Sequence, residues 1–380
     1  MRKMKVILLL LITFLFVRCG ENQESNNTKG KVVLNDFFQV KGYAQGTTYS
    51  IVYQDSLNRD LSSSMDSLLK DYDSYLSTYV DTSLISQFNN SEYSPTSSKT
   101  RWSNDSLDLE IQPHGIFEDC FKAAKEIYHA TDGAFNPAVY PLVKYWGFLD
   151  GKPRDDIFQY EIDSILKIVN FSDSMINLYV DTLTKGDVVF GSALLIGKLN
   201  GNTKIDFNGI AQGHSVDIIG HYLLSLGINN FMVEVGGEVL CKGVNNKNTY
   251  WQIGIDKPVE NSSPGGEGFQ FVVNVNNAAI ATSGNYRKFY EKDGLKYAHT
   301  INPKTGHPVQ HSLLSVTVKA FRCSDADGYA TAFMVMGVEK TKSFLSENPE
   351  LHLEVCLVAA SGKEEHAVWM TEGFQSLIVE

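Results

Sequence analysis

Through much of its second half, this 380-residue chain places short alternating runs one after another with only a tight turn between them. Phe231–Val235, Gly236-Gly237 and Glu238–Cys241 read as strand, turn and strand, and Phe269–Val275 and Ala279–Thr282 flank an Asn276-Asn277 turn in the same way. Leu314–Ala320 alternates strictly, and Leu353–Ala359 and His366–Met370 supply late strands. A connection this short can join only antiparallel neighbours. Helical spacing appears in fewer places. Leu61, Met65, Leu68, Leu69 and Tyr72 recur at three- and four-residue steps. Ile116–Thr131 is a second helix, closed at Asp132-Gly133, where glycine supplies a left-handed cap. Val216, Ile219, Tyr222, Leu223 and Leu226 share one face of a third, capped by Gly227, and Asp325–Met336 resumes the same spacing. Tyr43–Val52 is strand-like, Ile205-Asp206-Phe207 looks like a strand entering a turn, Ser91–Pro113 is polar and reads as a loop, and Lys152–Asp163 is a charged surface segment. Strands succeed strands, so the expected class is α+β, with a largely antiparallel or mixed sheet and packed helices.

The N-terminus is built differently. Arg2, Lys3 and Lys5 precede Val6–Val17, which is apolar except for Thr13. As a helix this run rises about 18 Å, too short for a hydrocarbon core of about 30 Å. It reads as an export signal. Cys19 ends the run and a polar tail follows, a pattern that resembles a bacterial lipoprotein signal with Cys19 acylated. Arg18 departs from the small residue usual before that cysteine, so a plain secretory signal or an uncleaved anchor stays open. Residues 1–19 are then the signal, 20–35 a tether and 36–380 the folded unit. A net charge of −11, with no Lys/Arg cluster beyond the first five residues, argues against nucleic acid as a partner. Cys120, Cys241, Cys323 and Cys356 show no metal-ligand spacing and read as buried apolar residues.

Three segments put glycines beside polar residues at strand ends. In Asp206-Phe207-Asn208-Gly209-Ile210-Ala211-Gln212-Gly213, a turn feeds a helix N-terminus whose free N–H groups suit a pyrophosphate, although such turns are common in any fold. Asp206 itself also fits a turn or helix-capping role. In Thr282–Arg287, Arg287 could clamp a phosphate, and Tyr297–Pro308 holds His299 just before an Asn-Pro-Lys-Thr-Gly turn. A strand histidine is either structural or a base titrating near neutral pH. In Ser324–Thr331, Asp327 and Thr331 lie four apart on one helix face and offer hard oxygen ligands suited to Mg²⁺. The competing reading is an acidic residue near a helix N-terminus, with Ser324 as its cap.

In order and wording these segments resemble the FAD:protein FMN transferase family, the ApbE family. The resemblance runs from about Tyr43 to Met370. It includes Gly46-Thr47-Thr48-Tyr49-Ser50, Leu76-Ser77-Thr78-Tyr79 with Ser83 and Asn89, and Asp132-Gly133-Ala134-Phe135-Asn136-Pro137. Pro141-Leu142-Val143 and Trp146-Gly147-Phe148 follow, with Gly236-Gly237 between the first two glycine segments. The resemblance implies a T-fold-like catalytic domain over 36–380 that cleaves FAD with Mg²⁺, attaches FMN by a phosphoester to a Thr or Ser of a flavoprotein, and releases AMP. It implies metal ligands at the Gly209 carbonyl, Asp327 and Thr331, and a catalytic His299. It further implies an FAD site at Gln45, Tyr79, Ala134, Phe135, Asn136, Asp206, Gln212 and Ile301. Gln212 stands where relatives usually carry Lys or Glu, and Asn136 where many carry Asp. The acceptor expected by family is a membrane or periplasmic flavoprotein subunit, met by an enzyme lipid-anchored through Cys19 to the inner membrane and facing the periplasm. An FAD pyrophosphatase and a non-catalytic FAD-binding lipoprotein are the alternatives.

Overall fold

The computed structural model describes residues 32–34, 36–91, 107–109, 115–149, 151, 154, 156–185, 188–259, 268–285, 289–292, 295–362 and 365–379. The readings that rest on the export signal, on Cys19 and on Arg287 lie outside these residues. The chain opens with β1 (Val32–Leu34), β2 (Phe37–Ala44), β3 (Thr47–Gln54), α1 (Ser62–Leu76), α2 (Leu84–Asn90), β4 (Leu107–Leu109), α3 (Gly115–Ala130), α4 (Tyr140–Tyr145) and α5 (Gln159–Leu166). It continues through β5 (Ile176–Lys185), β6 (Val188–Lys198), α6 (Ala211–Ser225), β7 (Phe231–Val235), β8 (Glu238–Lys242), β9 (Trp251–Asp256), β10 (Phe269–Val275) and β11 (Ala278–Gly284). Last come β12 (Phe289–Lys292), β13 (Leu295–Ala298), β14 (Leu313–Ala320), α7 (Cys323–Met336), α8 (Val338–Glu347), β15 (Glu354–Ala360), β16 (His366–Met370) and α9 (Glu372–Gln375).

Among the described residues, nine strands form one sheet in the order β1-β2-β3-β7-β8-β11-β14-β15-β16, every neighbouring pair antiparallel. Two tight turns stand together at one end of this sheet. Gln45 and Gly46 both take positive φ (53° and 72°), the geometry a two-residue hairpin needs to match strand twist. Gly236 and Gly237 turn β7 into β8 at the same sheet end, where the Gly236 N–H donates to the Thr48 carbonyl at 3.0 Å.

Both faces of the sheet are covered. Ile51, Tyr53, Val233 and Val235 pack against Met65 and Leu69 of α1 and Val216, Ile219 and Leu223 of α6. On the other face, Val239, Cys241, Ile280 and Val358 meet Trp251, Ile255 and Val273 of the β9–β10 ribbon and Phe374 of α9. Each large aliphatic side chain so enclosed contributes roughly 1.5–3 kcal/mol, which makes the sheet a rigid platform for its end turns. A third cluster, around Phe117, Phe121, Phe207 and Phe333, joins α3 and α7 to the segment before α6. All four described cysteines are buried and free. No helix among the described residues is long and apolar enough to cross a membrane.

Several expectations need correcting. β10 and β11 are not a hairpin: β10 pairs with β9, and β11 pairs with β8 and β14. Asn277, at φ 50°, redirects the chain from one sheet to the other. The polar 91–113 segment contains a strand, because Leu107–Leu109 finds partners at Lys198–Ile196. Ile205–Phe207 is not in a strand. Asn89 substitutes for a ladder partner, its amide donating to the Ile205 carbonyl at 2.8 Å while its oxygen accepts the Ile205 N–H at 2.7 Å. Ser324 does not cap α7. That position is Arg322, whose side chain makes no capping bond, and the first N–H groups of the helix go elsewhere. The β5–β6 hairpin went unread because runs such as Leu178-Tyr179-Val180 and Leu194-Leu195-Ile196 break the alternation.

α6 and α7 cross so closely that residue 213 has no room for a side chain. A Cβ there would overlap the Cys323 carbonyl oxygen and lie 2.8 Å from the Asp327 Cβ. Gly213→Ala is therefore expected to lower unfolding free energy by roughly 1–3 kcal/mol, measured by urea denaturation. Wild-type stability in that variant would mean a looser crossing.

Candidate active site

The site starts from two helix ends that satisfy each other. Asp217 of α6 accepts the Cys323 and Ser324 N–H groups at 2.8 and 2.9 Å, so a carboxylate from the neighbouring helix caps α7. In return, Asp327 of α7 accepts the Gly213 N–H of α6 at 3.1 Å. The Phe207 carbonyl takes the Ala211 N–H at 2.8 Å. The N-terminus of α6 is thus largely occupied, which corrects its reading as a set of free amides waiting for a pyrophosphate. Below it, the buried Tyr72 hydroxyl donates to the Ala211 carbonyl at 2.8 Å and meets His214 Nδ1 at 3.1 Å. Burial, with the charge of Arg322 adding to it, pushes His214 down to about 4, so the ring is neutral near physiological pH.

Asp327 is 5% exposed. Loss of hydration pushes its carboxyl up, and the negative charge of Asp217 adds to the effect. One turn later, the Thr331 hydroxyl lies 3.3 Å from the Gly209 carbonyl and 3.4 Å from Ser283 Oγ at the end of β11. A carbonyl, a hydroxyl and one carboxylate are hard oxygen donors, so this set fits a Mg²⁺-like cation and not a softer metal. Among the described residues there is no group of three or more His, Cys, Asp or Glu that could hold a metal; the Gly209, Asp327 and Thr331 set uses a single carboxylate. Glu238 was missed as a candidate. It is buried beside Asp327, and Oε2 has no hydrogen-bond partner among the described residues. Burial, then the charge of Asp327, raises its carboxyl. A carboxylate in the first position of a strand whose neighbours face the core was the available signal.

The turn after α3 and the segment before α6 adjoin this point. The Phe135 ring lies against Gly209, and Ala134 precedes it on the turn after α3. The Asp206 N–H donates to the Pro137 carbonyl at 2.8 Å, while its carboxylate accepts from Asn208 N at 2.8 Å and Asn208 Nδ2 at 3.1 Å. This is an Asx turn, so of the two structural readings of Asp206 the turn is the one present. The residue keeps partial exposure, but its carboxyl has lost hydration and is pushed up to about 6. Tyr79, 72% exposed, reaches the Asn208 side chain, and the Asp206 charge acts on both Tyr79 and Tyr140. Asn136 is spent on the fold: its oxygen accepts the Ala138 N–H at 2.9 Å and its amide reaches the Val169 carbonyl at 3.4 Å.

Gln45 stands on the hairpin turn between β2 and β3 at the sheet end. Both polar atoms of its amide are buried without a partner among the described residues, an arrangement that suits a polar ligand group. It connects to the rest through Thr47, whose methyl group and the Gln212 amide both crowd Gly236. His299 follows β13, with the Thr300 hydroxyl donating to Asn285 Oδ1 at 2.6 Å, two residues beyond Ser283. Ile301 is buried and bridges to Pro308, closing the 302–307 turn on which the Trp146 indole donates to the Gly306 carbonyl at 2.8 Å. Strand β11 and its Ser283–Asn285 end therefore link the His299 segment to the Thr331 hydroxyl. Ser83 caps α2 and Asn89 pins Ile205, so these two are structural.

The ApbE family profile matches residues 45–357. An FAD:protein FMN transferase of Vibrio cholerae is 33% identical over 316 residues, covering 81% of this chain and 84% of that protein. One of Escherichia coli K12 is 28% identical over 381 residues, covering 98% and 97%. The crystal structure of the flavin transferase ApbE from V. cholerae superimposes with a TM-score of 0.69 at 30% identity, covering 90% of this chain and 99% of that one. Apo flavinyl transferase ApbE from Pseudomonas stutzeri gives 0.71 at 26% identity, with coverage of 91% and 97%.

Asp206 carries a pH test. Its folded-state carboxyl holds a proton up to about 6, whereas the unfolded chain releases it near 4. Its contribution to stability is therefore full at low pH and is lost as pH rises through that window. The stability difference between wild type and Asp206→Asn, from urea melts, should fall between about pH 4 and pH 6 and then level off. A difference that is flat or rising over the same range would contradict the assignment.

Proposed function

The chain belongs to the ApbE family and transfers FMN from FAD to protein; we propose that the reaction requires Mg²⁺, forms a phosphoester on a Thr or Ser, and releases AMP. The observation that carries this reading is the Thr331 hydroxyl 3.3 Å from the Gly209 carbonyl, one helical turn from the buried Asp327 whose carboxylate meets α6 at Gly213. Mg²⁺ held there would offset the negative charge of the pyrophosphate and of the transferring phosphoryl oxygens.

The remaining work falls to side chains. Tyr79 offers an exposed aromatic face and Phe135, buried in the core against Gly209, backs the metal-binding turn, while Gln45, Asp206 and Gln212 offer hydrogen-bonding groups to FAD. His299 takes the proton of the acceptor hydroxyl as its oxygen attacks the FMN phosphorus. The bond to the AMP oxygen breaks, and AMP leaves with that electron pair. Because Asp327 is pushed toward its protonated form by burial, a proton competes with the cation there. Metal affinity should therefore rise with pH.

The direct test incubates the protein with FAD, Mg²⁺ and a candidate flavoprotein acceptor, then weighs the acceptor intact. The acceptor should gain FMN less water, EDTA should stop the gain, and Mg²⁺ should restore it. Asp327→Ala should lose transfer even at saturating FAD. His299→Ala should lose about 10²–10⁴ in rate while holding FAD within a few-fold. Free FMN and AMP without acceptor labelling would favour an FAD pyrophosphatase, and near-normal turnover by His299→Ala would remove it from the mechanism.

We further propose that Cys19 is lipidated and tethers the enzyme to the periplasmic face of the inner membrane, on the support of the short apolar run that ends there. Cys19→Ala should move the protein from the membrane to the soluble fraction. Unchanged fractionation would count against the anchor.

A further inference from the structure

Strand β11 turns alternate side chains to its two faces. Ala278 and Ile280 cluster with Trp251 and Val273 of the β9–β10 ribbon, and Thr282 meets Thr317 across the ladder at 2.9 Å. The other row faces α7: Ala279 clusters with Cys323, and Ala281 with Ala326 and Ala330. Small residues in this row let the helix approach the sheet. Ser283 ends the row, where a third alanine would serve the packing equally well. Its hydroxyl instead lies 3.4 Å from that of Thr331.

A threonine hydroxyl has one proton to give. That of Thr331 stands between two acceptors, the Gly209 carbonyl at 3.3 Å and Ser283 Oγ at 3.4 Å. Both distances are long for O–H···O bonds, so neither acceptor traps the hydroxyl. A cation held by the Gly209 and Thr331 oxygens together would decide between them. A proton directed from one of these oxygens to the other would lie beside the positive charge and be repelled by it. It must turn away, and Ser283 Oγ is the other acceptor within reach. We propose that Ser283 is a positioning residue for the cation site: it accepts the Thr331 proton and so turns a threonine lone pair toward the metal. The proposal rests on the Mg²⁺ reading of Gly209, Asp327 and Thr331.

Metal binding tests this without turnover. Mn²⁺ is titrated into the FAD-loaded protein, and free Mn²⁺ is read by electron paramagnetic resonance. Ser283→Ala, which continues the alanine row and should fold normally, is expected to weaken Mn²⁺ binding roughly fivefold. Its FAD affinity in EDTA should stay within twofold of wild type. In a Thr331→Val background there is no hydroxyl to orient, so Ser283→Ala should cause no further loss. Unchanged Mn²⁺ affinity in Ser283→Ala would overturn the proposal, as would a loss by the same factor with and without the Thr331 hydroxyl. A loss of FAD affinity in EDTA would also overturn it, by placing Ser283 against FAD itself. Failure of the Mg²⁺ reading would look different: wild type and Asp327→Ala would then bind Mn²⁺ alike, whatever stands at residue 283.

Discussion

Each of two crossing helices ends on a carboxylate supplied by the other, and the site is arranged around that exchange. Asp217 closes the start of α7 and Asp327 meets the start of α6, with Gly213 allowing the approach. Hydrogen bonds from backbone N–H groups to a charged acceptor contribute about 1.5–3 kcal/mol each. Burying two carboxylates costs several kcal/mol apiece, so the exchange is close to neutral for stability. What it fixes is position. With Asp327 fastened to Gly213, Thr331 one turn on is brought within 3.3 Å of the Gly209 carbonyl, so oxygens from two distant chain segments meet one turn from the Asp327 carboxylate.

The apolar packing makes that position rigid. α6 is held to the sheet by Val216, Ile219 and Leu223, and α7 to β14 and α3 by Phe333 and its neighbours. The turns Gln45-Gly46 and Gly236-Gly237 stand at one end of the same sheet, beside Gln212 and Glu238. Gln45 and Glu238, at this end, carry buried polar atoms without a partner among the described residues, as do Thr78, Thr203 and Asn276 elsewhere.

Local patterns were legible in the sequence, and long-range pairings were not. The helix periods of α1, α3 and α6 and the glycine turn between β7 and β8 follow from residues close together in the chain. The partner of β10 could not be read, because Asn276-Asn277 signals a turn but not which sheet receives the next strand. Asp327 and Thr331 were legible because a four-residue step on a helix fixes their common face. Asp217 was not, and Glu238 showed only as a carboxylate opening a core-facing strand. Their importance comes from what stands opposite them, over a hundred residues away for Asp217. Asn136 shows the converse: a motif residue whose side chain is committed to capping a short turn.

Whether Gly209, Asp327 and Thr331 form a divalent-cation site can be decided by anomalous diffraction from crystals grown with FAD and Mn²⁺ in place of Mg²⁺. An anomalous peak is expected at ordinary coordination distance, roughly 2.0–2.4 Å, from the Gly209 carbonyl, the Thr331 hydroxyl and the Asp327 carboxylate, with phosphate oxygens completing the shell. A Mn²⁺ peak that touches none of these three oxygens would contradict the assignment.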